Sequence, residues 1–521
     1  MDLELQSDAT FSHLNQWLHT CQKRHRVCDK SAIPFMPSFA IDVGPFNSAE
    51  AHVRLVRSPR HERYVALSYC WGGDQDFKAT TSNLSQLLRE IDVSKLPKTI
   101  QDAITVTRRL GIRYLWVDSI CIIQDDARHC GLQIAQMSKV YRNACVTILA
   151  ARSASCVQGF LHNIQKPGAS ASAFRFWFRD ANFNISSVIG FCEPDDTQVR
   201  NPLALRGWAM QEFLLSRRTI KFGIDHIRWT CRLSTWCLPS TFCDPYDDGL
   251  SIENWWNDRQ IEELKLWQKF RSIDPEDITD LTTWTGLVEN YTRRALSDKS
   301  DRLLALSGMA TYIASRLSSL YVAGLWVEQL PETLLWQSTP PSHVAQRLQP
   351  SPSWSWATVD GPVSFQDTIN MDPRIELVSA NVVPALEEAP FGSVVSGELI
   401  IRGWAVKLAC RGDGSLFEKF GSNEYAADAD PIAYYSADIS TELEADESVW
   451  CLQVAEYSLR VTDQPQGLVL TEHERNTFRR KGVFSYIPIK DDASLAEFTT
   501  CYEKRTTSWI QHRTFKEFVI I

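Results

Sequence analysis

Between residues 64 and 222, short apolar runs alternate with segments in which apolar residues recur every three or four positions. Val65–Ala66–Leu67–Ser68–Tyr69 ends in Trp71–Gly72–Gly73–Asp74, which reads as a buried strand emptying into a glycine-rich turn. Ile100, Ala103, Val106 and Leu110 mark one face of a helix that stops at Gly111. A second apolar run fills 112–123, Ile134, Met137 and Val140 mark another helix, and Cys145 to Ala150 reads as a third strand. Trp208 to Leu215 then predicts a helix leading into Thr219–Ile220–Lys221–Phe222. Apolar strands separated by helices belong to an α/β domain with a parallel sheet covered on both faces. Ligands of such sheets bind beyond the carboxyl ends of strands, where Trp71, Gly72, Gly73 and Asp118 are expected.

A chain of 521 residues is too long for one core and predicts about two to four domains. Residues 1–58 read as a helical and extended lead, and 59–240 as the α/β domain. An insertion at about 152–202, with Gly159, Gly168, Phe174, Trp177 and Phe178, interrupts that domain. Residues 241–345 turn helical around Trp255, Trp256, Leu264 and Trp267, then Leu303–Leu304–Ala305–Leu306, Leu325–Trp326–Val327 and Leu334–Leu335–Trp336. Residues 346–521 read as a β-rich C-terminal domain, with strands at Leu399 to Val406 and Val483 to Pro488.

A net charge of -9 argues against nucleic acid as a partner, because phosphate binding needs a basic face. The first ten residues lack a basic, apolar signal region, and no run approaches the ~18 to 20 apolar residues that span a bilayer. A cytoplasmic protein with no membrane span is expected. The fourteen cysteines are scattered as reduced, mostly buried thiols would be. Cys21, His25 and Cys28 have a metal-like spacing, but a structural zinc site takes four ligands and no companion pair lies close by. Cys231, Cys237 and Cys243 are evenly spaced without matching a zinc pattern, so neither metal nor resident cofactor is expected.

Four blocks carry a resemblance: Tyr64 to Gly73; Leu96–Pro97–Lys98–Thr99–Ile100 with Tyr114 to Ile122; Met137 to Ala144; and Arg206–Gly207–Trp208–Ala209–Met210–Gln211–Glu212. In this order they resemble the heterokaryon-incompatibility domain of filamentous fungi, and Pro350 to Trp356 resembles a feature downstream of it. The resemblance implies an intracellular allorecognition protein that triggers programmed cell death. It also leaves open a non-catalytic module that signals by self-association, and an accessory or biosynthetic protein of a secondary-metabolite gene cluster. The incompatibility partner is not readable.

Such domains are distantly similar to Toll/interleukin-1 receptor domains, some of which cleave NAD, and this implies a flavodoxin-like sheet. Trp208 and Glu212 match the Trp and catalytic Glu of those relatives, and at positions i and i+4 they share a helical face. By that resemblance Glu212 is the candidate catalytic carboxylate, with NAD as substrate and Ser68, Trp71, Gly72, Gly73, Asp118, Arg206 and Trp208 as candidate ligand-binding residues. Nicotinamide leaves as a neutral base, so the reaction needs chiefly a carboxylate facing the developing ribosyl cation. Plainer roles remain open: Trp208 and Trp116 as core aromatics, Gly72–Gly73 as a tight turn, Asp118 as a cap, and Arg206–Glu212 as a structural ion pair. The chain also departs from its relatives where they carry an acid four positions before Met137. Gln133 stands there, with Cys130 at a nearby position often held by Trp.

Overall fold

The protein is described from a computed structural model. Its described residues are 4–29, 35–45, 52–58, 62–164, 172–179, 185–192, 201–224, 226–238, 282–315, 319–338, 347–366, 371–411, 413–417, 431–439, 447–459, 462–485, 509 and 511–521. The expectations at Gly168, Cys243, Trp255, Trp256, Leu264, Trp267 and Tyr486–Ile487–Pro488 lie outside them. The chain divides into two compact units, Met1–Ser272 and Ile273–Ile521.

The first unit opens with the helices α1 (Asp8–Arg24) and α2 (Arg26–Asp29), followed by the strands β1 (Phe39–Asp42), β2 (Arg54–Arg57) and β3 (Tyr64–Ser68). Helices α3 (Leu84–Leu87) and α4 (Lys98–Arg109) precede β4 (Tyr114–Trp116), and α5 (Asp118–Cys121) and α6 (Ala127–Asn143) precede β5 (Val146–Leu149). A separate antiparallel hairpin, β6 (Ser172–Arg179) with β7 (Ile185–Cys192), occupies the insertion. Helix α7 (Gly207–Leu215) and strands β8 (Arg218–Phe222), β9 (Ile227–Cys231) and β10 (Thr235–Leu238) complete the unit.

Eight of these strands form one sheet in the order β10-β9-β8-β5-β3-β4-β1-β2. The four central strands are mutually parallel, as the alternation of strands and helices predicts. Both flanks are antiparallel, through β1 and β2 on one side and β9 and β10 on the other, so the sheet is mixed. Every residue of β3, β4 and β5 is buried, which fits strands covered on two faces.

The chain passes from β3 to β4 in one direction and from β4 across β3 to β5 and β8 in the other. Right-handed crossovers then require α4 on one face and α6 and α7 on the other, and α6 does pack on α7. The reversal falls between β3 and β5, so their carboxyl ends frame a topological switch point.

The second unit is β-rich. Its nine-stranded sheet is almost wholly antiparallel and is built on the long strands Ile375–Pro384, Val394–Cys410, Ser448–Leu459 and Thr462–Glu474. Helices Thr282–Thr292 and Ser307–Ala314 accompany it. Leu325–Trp326 is not helical: it pairs with Tyr321–Val322 across a turn in which Ala323 and Gly324 both take positive φ. The Trp326 ring packs edge-on to Tyr321 at 5.0 Å and Trp284 at 5.9 Å, so tertiary aromatic packing overrides the helical pattern. Among the described residues, no helix is long and apolar enough to cross a membrane.

Candidate functional site

Three carboxyl-end positions and one helix converge at the switch point. Ser68 is the last residue of β3, Trp71 follows it by three, and Asp118 opens α5 directly beyond β4. Helix α7 supplies the fourth element. It is apolar on nearly all sides, and Ala209, Met210, Gln211, Glu212, Leu214 and Leu215 are all buried. A Glu within such a helix has no route to water, so its partners must come from the protein.

Those partners are Ser68 and Arg206. Ser68 Oγ donates to Glu212 Oε2, and the Arg206 Nη1 lies 3.5 Å from Glu212 Oε1. Arg206 Nη1 also donates to the Tyr69 carbonyl at 2.7 Å, while its Nη2 lies 3.6 Å from Asp118 Oδ2. Asp118 Oδ2 accepts from Trp71 Nε1 at 3.0 Å, and its Oδ1 caps the Ser119 amide at 2.7 Å. One guanidinium therefore stands between two carboxylates, at ion-pair distance from both.

Glu212 is fully buried, and its Oε1 accepts no hydrogen bond. Burial raises its pKa above the ordinary carboxyl value, against the lowering effects of Arg206 and of the Ser68 hydroxyl. For Arg206, burial works against the charge, but Glu212 and Asp118 outweigh it and hold the pKa above the ordinary guanidinium value. The Arg206 side chain keeps 23% of its exposure, so the cluster reaches solvent through its cation. Burial also raises the Cys70 thiol, so this neighbouring cysteine is not a ready thiolate.

The glycines stand on the outer side of this network. Gly72 and Gly73 are exposed, with φ of +78° and +122°. A Cβ on Gly72 would come within 2.2 Å of Ser155 Cβ, so close packing alone accounts for glycine there. The packed loop is anchored by Asp102, whose Oδ2 accepts from the Phe160 and Leu161 amides at 2.7 and 3.1 Å. Trp208 is half-buried against the core around the sheet, and Trp116 is a fully buried core aromatic set edge-on to Tyr141 at 5.6 Å. Gln133 stands off the Glu212 network and donates to Ser38 Oγ at 3.0 Å beside β1.

Two contributors escape a reading of the sequence alone. The Tyr141 hydroxyl donates to the Leu67 carbonyl at 3.1 Å, and the buried Tyr141 is coupled electrostatically to Glu212 and Asp118. Tyr69 extends the site the other way: its hydroxyl donates to Ser119 Oγ at 3.0 Å and accepts from Gln75 at 2.8 Å. Both lie in the quoted motif blocks, but only the fold shows that they back the charged groups.

The model of the family described as Heterokaryon incompatibility protein (HET) matches residues 64–212, from the first residue of β3 to Glu212. These residues form a heterokaryon-incompatibility domain. The HET match thus closes on the very carboxylate around which the cluster is built. No curated protein matches the chain, and no solved structure matches it. Chemically, the HET cluster offers a buried carboxylate ion-paired through Oε1, a cation that faces two acids, and exposed turn residues at Gly72 and Gly73.

Proposed function

We propose that this chain is an intracellular incompatibility protein of filamentous fungi that triggers cell death, with the HET domain as effector and the β-rich unit as its control. The observation that carries this reading is the HET match over residues 64–212. The effector step we propose is cleavage of NAD at Glu212. In support, the parallel order β4-β3-β5-β8 corresponds to the 2-1-3-4 run of flavodoxin-like sheets, a likeness at the level of fold alone. A carboxylate at that switch point faces a ribosyl cation more strongly in the transition state than it faces the bound substrate. The adjacent Arg206 suits a phosphate oxygen.

A second reading is favoured by the complete burial of Glu212. In that reading the ion pair is structural and the domain signals by self-association without chemistry.

Glu212→Gln separates the two, since it removes the charge at nearly constant volume. Purified protein and variant are incubated with NAD, with and without forced oligomerisation, and nicotinamide release is followed while killing is scored in a fungal host. Catalysis by Glu212 predicts a loss of about 100-fold or more in rate, with killing lost in parallel. A variant that folds, assembles and kills like the parent, with cellular NAD level in both, removes the enzymatic reading and leaves self-association in place.

A further inference from the structure

The strongest unexplained chemistry lies at the amino end of the parallel strands, opposite the carboxyl ends that frame the switch, where α1 meets β9 and β10. Cys21 and His25 sit one turn apart at the end of α1, so their side chains share a face. The helix stops there: the His25 amide bonds the Cys21 carbonyl at 3.1 Å, and the Cys28 amide bonds the His25 carbonyl at 2.9 Å. This turn folds Cys28 back toward the same point. Cys231, the last residue of β9 and 206 positions beyond His25, arrives from the sheet, with its Sγ 3.4 Å from His25 Nδ1.

The four ligand atoms lie within 4.8 Å of one another. A tetrahedral zinc ion with Zn–S of about 2.3 Å and Zn–N of about 2.0 Å needs ligand–ligand edges of about 3.5–3.8 Å. Small side-chain rotations close that gap. The three cysteines are free thiols and essentially inaccessible to solvent.

The surroundings are those of a metal site rather than an apolar thiol cluster. Arg218 is buried, and its Nε donates to Cys21 Sγ at 3.1 Å while its Nη2 reaches the Cys28 carbonyl at 3.4 Å. Three thiolates and one imidazole around a divalent ion carry one net negative charge, which this guanidinium offsets. Trp236 of β10 packs against the His25 ring, with centroids 6.0 Å apart, and limits its rotation.

We propose that Cys21, His25, Cys28 and Cys231 bind a structural zinc ion that fastens the N-terminal helices to the edge hairpin of the sheet. Thiolate and imidazole ligands in a tetrahedral set select zinc over magnesium or calcium, and four protein ligands leave no open position for catalysis. The three thiols release their protons to solvent as the metal binds. The site is independent of the proposed reaction at Glu212. The sequence conceals it because the fourth ligand is distant along the chain.

The full chain, purified without chelator and desalted, is analysed for metal by mass spectrometry. About one zinc per chain is expected. The Cys28→Ser and Cys231→Ser variants are expected to lose metal affinity by at least about tenfold, and His25→Cys, which keeps four ligands, is expected to retain it. Cobalt substitution of the parent, which does not depend on any variant folding, is expected to give the intense visible bands of a tetrahedral site with thiolate charge transfer. Parent protein that keeps no zinc after equimolar loading overturns the proposal, as does a folded Cys28→Ser/Cys231→Ser double variant that holds as much zinc as the parent.

Discussion

Glu212 sits where solvation and pairing pull in opposite directions. Burial is the larger influence and raises its pKa above the ordinary value of 4.5. The folded state then holds the proton to a higher pH than the unfolded chain does, so stability falls as pH rises from about the unfolded value through the folded one. Glu212→Gln, which mimics the protonated acid, is expected to match the parent at acidic pH and to gain on it as pH increases through that window. Chemical denaturation at a series of pH values measures the difference, and a gap that widens in favour of the parent sinks the assignment. Any reaction that needs the Glu212 carboxylate should rise in rate over the same window. At this scale the family resemblance names Ser68, Trp71, Asp118, Arg206 and Glu212 as candidates, and the fold brings these side chains into one network. Which partner each Glu212 oxygen takes, and that Arg206 faces two acids, are matters of ångströms that sequence does not encode.

Among the elements, β3, β4, α4, α6, β5, α7 and β8 were legible because each combines a clear period with a glycine or polar stop. The short flanking strands were not: β1 and β2 carry Asp42, Arg54 and Arg57, and their pairing is set by distant β4. Sequence also gives no strand order, and β4 and β5 prove not to be partners, since β3 lies between them. Leu115 on β4 and Ile148 on β5 are fully buried all the same, so both belong to the core on either side of β3. Truncating either to Ala is expected to cost about 2–5 kcal/mol, through lost apolar transfer and an unfilled cavity. Equilibrium unfolding tests this, and a change within ~0.5 kcal/mol contradicts the burial.

For the whole molecule, the second unit offers a test of the proposal that it controls an effector domain. Its anchor is Arg480, fully buried, which bonds both oxygens of Asp438 at 2.9 Å and donates to the carbonyls of Leu334 and Trp336. Arg347 reaches the same carboxylate at 3.0 Å, and the Arg480 guanidinium lies over the Trp336 ring, 3.6 Å from its centroid. Arg480→Ala leaves the Asp438 carboxylate to Arg347 alone and strips the Leu334 and Trp336 carbonyls of this donor, so it is expected to cost about 3–5 kcal/mol. Arg480→Lys restores only the charge, because an ammonium cannot reproduce the planar fork. The partners named here, Asp438, Leu334, Trp336 and Arg347, all lie beyond Ile273 and outside the HET match. If the β-rich unit restrains the effector, Arg480→Ala should raise killing per molecule without a trigger, with Arg480→Lys intermediate. Killing scored against protein abundance in the host reads this out. A fall in killing per molecule would instead make the β-rich unit a required part of the death signal, and the restraint model would be abandoned.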